Sequence, residues 1–406
     1  MREVMGSSPV GSILKMRETC KRRLPVFIVN CALSFTNGSA RICYRAWNCE
    51  GYMKQSQKPL LTFCIPAYNA SAYLPRCADS ILDDLISCED LGRPEDLAEI
   101  LIIENGSSDN TTQIAEDLKA EYPLLIDVLH SDKGLPNARN AGMRVARGSY
   151  TVFVDADDLW LCGSVRLIRR LINRYHADLY TFGYETDAFV QDHGLAGKTV
   201  YANTPEKVEK RRAFIISRPM MRTQAWAKVY RTALIQEKGL YFDERMNFCE
   251  DGEYTIRFTG NIESLVMSGV PVYHYSYSAD SMMRGYDEAR IDAYIRAMKT
   301  SAAQMDGESE LIRKAFREYV LCHLNLLLVR NVYNRQINIT EEERTQKMKE
   351  LCEVPVFAKA LSEVQLRDCL NTQMLPELFL KLKMRQPAAL LCRAKAELNK
   401  RREGGA

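Results

Sequence analysis

Tyr150-Thr-Val-Phe-Val-Asp-Ala-Asp-Asp158 is the stretch that decides the fold. Residues 150–154 are mostly apolar or β-branched, which predicts a short buried strand. Three carboxylates follow within four positions, where that strand should end. Because open α/β sheets bind ligands at the carboxyl ends of their strands, this acidic turn is a candidate binding site. Taken alone, the same pattern also fits a solvated acidic turn.

Asp155 and Asp157 lie two positions apart across the predicted turn and could together hold one Mg²⁺ or Mn²⁺ ion. Such ions take oxygen ligands, keep several waters and bridge to a diphosphate. Carboxylates this close repel one another unless a cation or solvent compensates them. His274 is on a predicted late strand and is a candidate third metal ligand or diphosphate contact, although a hydrogen-bonded strand histidine explains it as well.

The composition is that of a soluble globular chain with no bias toward nucleic acid. The 406 residues are 46% hydrophobic and 26% charged, with a net charge of +3. A charge so near balance gives no reason to expect a nucleic-acid partner. The 13 cysteines are scattered, odd in number and include no C-x-x-C, which favours reduced thiols in a cytoplasm over disulfides or zinc.

Strand and helix patterns alternate from Leu60 onward, which predicts βαβ units and a parallel sheet with helices on both faces. Predicted strands lie at residues 60–65, 99–103, 124–129, 150–154, 178–182, 264–267 and 272–277. Residues 185–204 are polar and predict an excursion or lid. Beyond about Ser281 only amphipathic helical patterns remain. We therefore expect an α/β domain over residues 58–280 and a helical C-terminal region over residues 281–406.

Residues 1–57 precede the first strand, and residues 1–52 show no helical or strand period. We expect this segment to be a disordered extension or the product of a misassigned start. Lys21-Arg22-Arg23 before an apolar run at residues 24–35 resembles a secretory signal peptide, which remains an alternative together with a true structural segment. No apolar run in the sequence reaches the 18–20 residues or so that a bilayer requires.

Polar and aromatic residues follow the first two predicted strands. Pro66-Ala-Tyr-Asn69 turns the chain out of the sheet, because proline cannot donate to a ladder, and places the Tyr68 ring where it could stack on a base. Glu104 and Asn105 end the second strand and could hydrogen-bond a base edge or ribose. Arg139 lies near the start of a helix, where its guanidinium could meet a phosphate or a base. Turn formation and a solvated helix face are the alternatives.

Taken together, these motifs resemble glycosyltransferase family 2, whose members read approximately P-x-Y-N, D-D-G-S-x-D-x-T, A-R-N-x-G and D-x-D-D. The corresponding stretches are Pro66–Asn69, Glu104–Thr111, Ala138–Gly142 and Asp155–Asp158, in the same order and at the same spacing. Glu104-Asn105 departs from the usual aspartate pair. The resemblance implies a GT-A fold, a Rossmann-like nucleotide-binding sheet, and an enzyme that uses a nucleotide sugar.

The resemblance also implies roles for particular residues. Pro66, Ala67, Tyr68, Glu104, Asn105, Arg139 and Asp155 would bind the nucleotide, and Asp155, Asp157 and His274 the divalent metal, Mn²⁺ or Mg²⁺. The second acid of Glu250-Asp251 would be the catalytic base. Independently of the resemblance, this pair precedes a helix-like stretch, and a helix N-terminus favours an ionised carboxylate.

The implied reaction is transfer of a hexose from a nucleoside diphosphate sugar, most simply a UDP-sugar, to an acceptor hydroxyl with inversion. A glycan or lipid-linked acceptor in surface polysaccharide synthesis fits the family. A sugar-nucleotide nucleotidylyltransferase and a non-catalytic glycosyltransferase-like binding protein are the alternatives. Residues 375–402 contain eight Lys or Arg against two Glu, so a basic helix could touch a membrane surface from the cytoplasmic side, or pack against the core.

Overall fold

The computed structural model describes residues 34–36, 39–41, 58–246, 248–276, 288–334, 338–369 and 374–403. Within residues 1–57 it describes only a two-stranded antiparallel hairpin, β1 (Ser34–Thr36) and β2 (Ser39–Arg41). No strand is predicted there from the sequence. The rest of the predicted extension lies outside the described residues, as do residues 277–287, which contain the predicted boundary at residue 280.

One ten-stranded sheet forms the centre of the molecule. Its strands are β3 (Leu61–Ala67), β4 (Ala98–Glu104), β5 (Ile126–His130), β6 (Tyr150–Phe153), β7 (Leu159–Trp160), β8 (Leu179–Glu185), β9 (Val190–Gln191), β10 (Thr199–Ala202), β11 (Lys228–Arg231) and β12 (Leu265–His274). The main order is β10-β12-β8-β11-β6-β3-β4-β5, with β7 on β12 and β9 on β8.

The sheet is mixed, whereas the sequence predicted a parallel one. Strands β3 to β6 are parallel as expected, but β11 lies between β6 and β8 and is antiparallel to both. Strand β11 is not predicted from the sequence, because Lys228–Arg231 is only four residues long and lacks the apolar alternation of a longer strand. The two predicted late strands are one strand, β12, whose parallel register against β8 shifts around Pro271.

Helices cover both faces of the sheet, and the alternation of side chains along each strand explains this. Phe63 and Ile65 of β3 face one hydrophobic core, and Cys64 between them faces the other. The helices before the C-terminal region are α1 (Leu74–Ile86), α2 (Pro94–Leu97), α3 (Thr111–Glu121), α4 (Leu135–Val145), α5 (Ser164–Tyr175), α6 (Pro205–Ile216), α7 (Pro219–Arg222), α8 (Thr232–Lys238) and α9 (Glu250–Thr259). Helices α1, α3 and α5 pack on the first face, and α4, α6, α8 and α9 on the second.

The C-terminal region is helical, as predicted. Its helices are α10 (Glu288–Ala302), α11 (Glu310–Leu327), α12 (Glu341–Glu353), α13 (Pro355–Glu363), α14 (Leu375–Lys381) and α15 (Arg385–Glu403). Helix α11 continues into a π-helical turn at Leu328–Val332. The core of this region also includes Ala213 and Ile216 of α6 and Ile256 of α9. The C-terminal helices are therefore packed on the α/β layer through a shared core.

Glu377, at the start of α14, is an acidic residue buried inside this helical core. Its side chain is fully buried, and Asn325 Nδ2 donates to Oε1 at 2.6 Å while Oε2 has no hydrogen-bond partner among the described residues. Burial raises its pKa from 4.5 to about 7. A carboxyl whose pKa is raised by folding destabilises the folded state. This effect grows as the pH rises from the pKa of the carboxyl in the unfolded chain to its pKa in the folded protein.

We expect Glu377→Gln to stabilise the protein, because the amide keeps the shape of the protonated acid and never carries a charge. The gain should be near zero at pH 4 and grow to roughly 3 kcal/mol at pH 8. Urea unfolding of both proteins across this pH range measures it. The control is Glu342→Gln, because Glu342 is exposed on α12. This substitution should change the free energy of unfolding by well under about 1 kcal/mol at every pH. A gain at pH 8 no larger than at pH 5 would contradict the raised pKa.

Candidate functional site

The predicted site residues lie at one edge of the sheet. Strands β3, β4 and β6 run parallel, so their carboxyl ends meet there. Tyr68 follows β3, Glu104 ends β4, and the acidic turn at residues 155–158 follows β6. Motifs that are far apart in the sequence therefore lie at the same edge of the sheet.

Arg139 on α4 is buried at the centre of this cluster. Its side chain is 1% exposed, and the rings of Phe153 and Phe242 lie 5.8 and 5.2 Å from its guanidinium carbon. Its Nη2 is 3.2 Å from Oδ1 of Asp155, and its Nη1 donates to Oδ1 of Asp251. A buried guanidinium needs such partners, because burying an unpaired charge is costly. One cation therefore connects the acid after β6 with the acid on α9.

Asp251 lies in the first turn of α9. Besides Arg139, its Oδ2 accepts a hydrogen bond of 3.0 Å from the backbone N–H of Ala225. Its side chain is 24% exposed, so it retains access to solvent. The neighbouring Glu250 lies 3.7 Å from Arg139 Nη1, and burial together with the charge of Asp251 raises its pKa to about 7. Of the two acids, Asp251 has the closer contact with Arg139 and also accepts a backbone hydrogen bond.

The three carboxylates after β6 have different environments. Asp158 is buried: Tyr273 donates its hydroxyl to Oδ2 at 2.6 Å, and the backbone N–H of Ser276 donates to Oδ1 at 2.7 Å. Tyr273 also accepts from the backbone N–H of Asp155 at 3.1 Å, and its ring stacks on Trp226 at 4.6 Å. Asp158 therefore fixes the turn from within, a structural role that the sequence did not distinguish from metal binding.

Asp155 and Asp157 remain as candidate metal ligands. Burial raises the pKa of Asp155 to about 6, with Arg139 opposing this shift and the charges of Asp251 and Asp157 adding to it. Burial raises the pKa of Asp157 as well. Partly buried oxygen ligands that repel each other are suited to Mg²⁺ or Mn²⁺, which would remove the repulsion. These two side chains thus fit a divalent ion. Among the residues that the structure describes, no three His, Cys, Asp or Glu side chains are grouped as a metal site.

His274 has acidic neighbours of its own. Its Nδ1 is 3.3 Å from Glu185 Oε1, and its Nε2 is 3.6 Å from Asp187 Oδ1. Backbone pairing places it opposite Leu159 of β7, just beyond the acidic turn. A role for His274 in metal binding stays a prediction, with Glu185 and Asp187 as competing partners.

Glu104 and Asn105 shape the loops around the site. Glu104 Oε1 accepts from the backbone N–H of Ser107 at 2.5 Å, and Oε2 lies 3.3 Å from His130 Nδ1. Asn105 Nδ2 donates to the carbonyl of Asp132, and its Oδ1 accepts from the backbone N–H of Gly134. Both side chains are nearly buried, so the departure from an aspartate pair preserves a hydrogen-bonded loop. Base recognition by these two residues stays a prediction.

Tyr68 is 42% exposed and pairs with a residue that the sequence reading missed. Lys133 Nζ donates to the Tyr68 hydroxyl at 2.8 Å and lies 4.6 Å from the ring centroid. Lys133 follows β5, the strand that pairs with β4, and β4 ends at Glu104. This position after a neighbouring strand end is the sequence feature that could have identified Lys133 as a site residue. A lysine beside an exposed tyrosine at the mouth of the site supplies a positive charge suited to a phosphate.

The chain resembles proteins of known family over most of its length. Residues 62–227 match the family model described as Glycosyl transferase family 2. EpsH of Bacillus subtilis, a protein named as a glycosyltransferase, is 24% identical over 327 residues, which are 76% of this chain and 87% of EpsH. The poly(ribitol-phosphate) beta-N-acetylglucosaminyltransferase TarS of Staphylococcus aureus is 24% identical over 216 residues, 52% of this chain but only 34% of TarS.

Solved structures show the fold. A crystal structure of S. aureus TarS residues 1–349 in complex with UDP-GlcNAc superimposes with a TM-score of 0.60 at 19% identity, over 83% of this chain and 92% of that one. The same TarS fragment without a named ligand gives 0.58. The GT-A fold expected from the motifs is therefore confirmed, with the additional C-terminal helical region.

We expect Arg139→Met to destabilise the protein by about 3–5 kcal/mol, because it leaves Asp155, Glu250 and Asp251 without their buried counter-charge. Urea unfolding measures the change. Arg144→Met is the matched control: Arg144 is on the same helix and pairs with Glu244 at 2.9 Å, but it is half exposed, so its loss should cost under about 1 kcal/mol. Equal effects of the two variants would show that Arg139 does not hold the acids together.

Proposed function

We propose that this chain, a glycosyltransferase of family 2, moves a hexose from a UDP-sugar to an acceptor hydroxyl with inversion at the anomeric carbon. The observation that carries the proposal is the junction at Arg139, which holds Asp155 and Asp251 at one sheet edge. Asp155 follows β6, whose carboxyl end would face the donor, and Asp251 lies in the first turn of α9 on the other side of Arg139. The complex of TarS with UDP-GlcNAc supports a UDP-linked donor.

Asp251 is the proposed general base. It would accept the proton of the acceptor hydroxyl as the oxygen attacks the anomeric carbon and the nucleoside diphosphate leaves from the opposite face. The Ala225 N–H and Arg139 hold the Asp251 carboxylate in place in the first turn of α9. A single displacement of this kind inverts the anomeric configuration, because no covalent sugar–enzyme intermediate is formed.

The nucleotide is proposed to lie along the carboxyl ends of β3 and β4. Tyr68 would stack on the base, with Pro66 and Ala67 forming the backbone wall beside it. Glu104 and Asn105 would contact the base or ribose through the loops they hold. Lys133 would add a positive charge near the phosphates, since its Nζ is already at the exposed edge of Tyr68.

Asp155 and Asp157 are the proposed metal ligands, with His274 as a third candidate. A bound Mn²⁺ or Mg²⁺ would supply positive charge to the departing diphosphate. Asp155 is also the carboxylate that Arg139 contacts, so it would help hold the ribose side of the donor in register with Asp251. Arg76, whose Nη2 is 3.5 Å from the carbonyl of Asp157, steadies the far side of the turn.

The proposed acceptor is a glycan or a lipid-linked glycan in surface polysaccharide synthesis, with the enzyme acting in the cytoplasm where nucleotide sugars are found. No helix among the described residues is long and apolar enough to cross a membrane. Residues 375–402 form α14 and α15 rather than one helix, and Leu382, Met384, Leu390 and Leu398 are exposed among the basic residues. Exposed leucines beside Lys383 and Arg385 support contact with an anionic membrane surface.

Two other functions fit the architecture less well. A sugar-nucleotide nucleotidylyltransferase would need a glycine-rich phosphate loop after the first strand, and β3 is followed by Tyr68-Asn69 instead. A non-catalytic binding protein has no need for an acid held as Asp251 is. Nucleotide-sugar hydrolysis, measured as UDP release from a panel of donors, distinguishes the transferase from both alternatives, because only the transferase releases the nucleoside diphosphate.

We expect activity to depend on a divalent metal, because a diphosphate arriving beside Asp155 and Asp157 needs a cation between them. Hydrolysis of the donor should fail in EDTA and return with Mn²⁺ or Mg²⁺. Binding of UDP, measured by calorimetry, should do the same. Asp157→Ala should not recover with added metal. Undiminished turnover in EDTA, with Asp157→Ala equally active, would refute the metal assignment.

We expect Asp251→Asn to reduce transfer by about 10²–10⁴-fold while the Kd for UDP stays within about twofold, because the amide keeps the shape of the base but cannot readily accept a proton. Glu250→Gln is the neighbouring control and should cost less, since Glu250 lies 3.7 Å from Arg139 and the Ala225 N–H donates to Asp251. Transfer within a few-fold of wild type in Asp251→Asn would place the base elsewhere, with Glu250 and Asp243 the next residues to test.

A further inference from the structure

The C-terminal helices contact the turn that carries Asp251. Tyr294 of α10 stacks on Phe248 with ring centroids 6.1 Å apart. Gln304, just after α10, donates to Glu253 Oε1 at 2.5 Å. Tyr319 of α11 packs against the turn between these two contacts. The first turn of α9 therefore rests on side chains from a different part of the chain.

Gly252, the residue after Asp251, is in direct contact with Tyr319. A Cβ placed on Gly252 would lie 3.0 Å from Cζ of Tyr319 and closer still to its hydroxyl oxygen. Both residues are buried, so the tyrosine ring cannot swing into solvent to make room for the methyl group. Glycine is otherwise unfavourable inside a helix, by about 1 kcal/mol relative to alanine. The close approach of Tyr319 explains why a glycine is placed beside the proposed base.

The Tyr319 side chain is held in place by its own neighbours. Its ring lies 4.4 Å from that of His323 and 5.7 Å from that of Phe316, and His323 Nδ1 lies 2.8 Å from the Tyr319 carbonyl. Its hydroxyl is buried and has no hydrogen-bond partner among the described residues. A buried hydroxyl without a partner costs about 1–3 kcal/mol, so stability alone does not account for a tyrosine here.

We propose that Tyr319 is a positioning residue for the reaction, which acts by holding Gly252 and so fixing where the carboxylate of Asp251 points. The C-terminal helical region is then part of the catalytic apparatus, although it contributes no group that touches the substrate. The inference rests on the proposed role of Asp251 as base. A shift of about 1 Å in a reacting group can cost on the order of 10²-fold in rate, so a single contact of this kind is sufficient to matter.

The test uses the full chain and, as probe, whichever UDP-sugar the wild type hydrolyses fastest. Gly252→Ala should lower kcat by about 10²-fold, with the Kd for UDP within about twofold, because the added methyl group displaces the turn and not the nucleotide site. Gly260→Ala is the matched control at the other end of α9. Its Cβ would lie 3.3 Å from Nη2 of Arg212 and at ordinary contact distances of 3.4 and 3.6 Å from the carbonyl oxygens of Arg257 and Ile256, so kcat should stay within about twofold.

The decisive variant is the double substitution Gly252→Ala with Tyr319→Leu. Leucine lacks the ring carbon and hydroxyl that collide with the new methyl group, so kcat should recover at least about tenfold over Gly252→Ala alone. A merely structural role for Tyr319 would give no such rescue, because each substitution would then only add to the damage. Tyr319→Leu alone should lower kcat by about tenfold with unchanged UDP affinity.

The possible outcomes separate the two proposals. Full activity in Gly252→Ala, or no rescue by Tyr319→Leu, overturns the positioning role if Asp251→Asn is inactive. Full activity in Asp251→Asn overturns the proposed base itself. Should Gly252→Ala not fold, Tyr319→Leu decides alone: a wild-type kcat overturns the role of Tyr319, and a lower kcat with intact UDP binding supports it.

Discussion

The ion pairs of the Arg139 guanidinium are the interaction on which the rest of the site depends. Arg139 is buried between aromatic rings, so it must be neutralised, and the groups that neutralise it come from the acidic turn after β6 and from the first turn of α9. Asp155 and Asp251 are 96 positions apart in sequence and are joined through one side chain. The low-dielectric surroundings strengthen both contacts and make the loss of either one costly.

Hydrogen bonds and packing from several parts of the chain fix the segments that carry Arg139, Asp155 and Asp251. Asn140, next to Arg139, donates to the carbonyl of Phe242 and accepts from its N–H, which fixes the segment before α9. Tyr273, on β12, fixes the acidic turn through Asp158. Tyr319 supports the turn of α9 from the C-terminal region. The α/β sheet provides the edge, and packing from later parts of the chain sets the positions of the charged groups on it.

Much of the first half of the fold could be predicted from the sequence, because β3 to β6 and their helices have clear periods and their motifs lie at strand ends. Strand β11 and the single long strand β12 could not, since Lys228–Arg231 is too short to show a period and Pro271 interrupts the other. The sequence nominates the candidate site residues, but it does not indicate which side chains they contact. Nothing in the local sequence shows that Arg139 faces two acids, that Asp158 is structural or that Lys133 reaches Tyr68. Those contacts depend on distances between segments that only the folded chain brings together.

A crystal structure of the protein with UDP and Mn²⁺ tests the central claim most directly. The account predicts the metal at Asp155 and Asp157 against the diphosphate, with Arg139 still joining Asp155 to Asp251 and the Asp251 carboxylate facing the space beyond the phosphates where a sugar would extend. A nucleotide bound away from the ends of β3 and β4, or an Asp251 carboxylate separated from Arg139 and turned away from the phosphates, would contradict it.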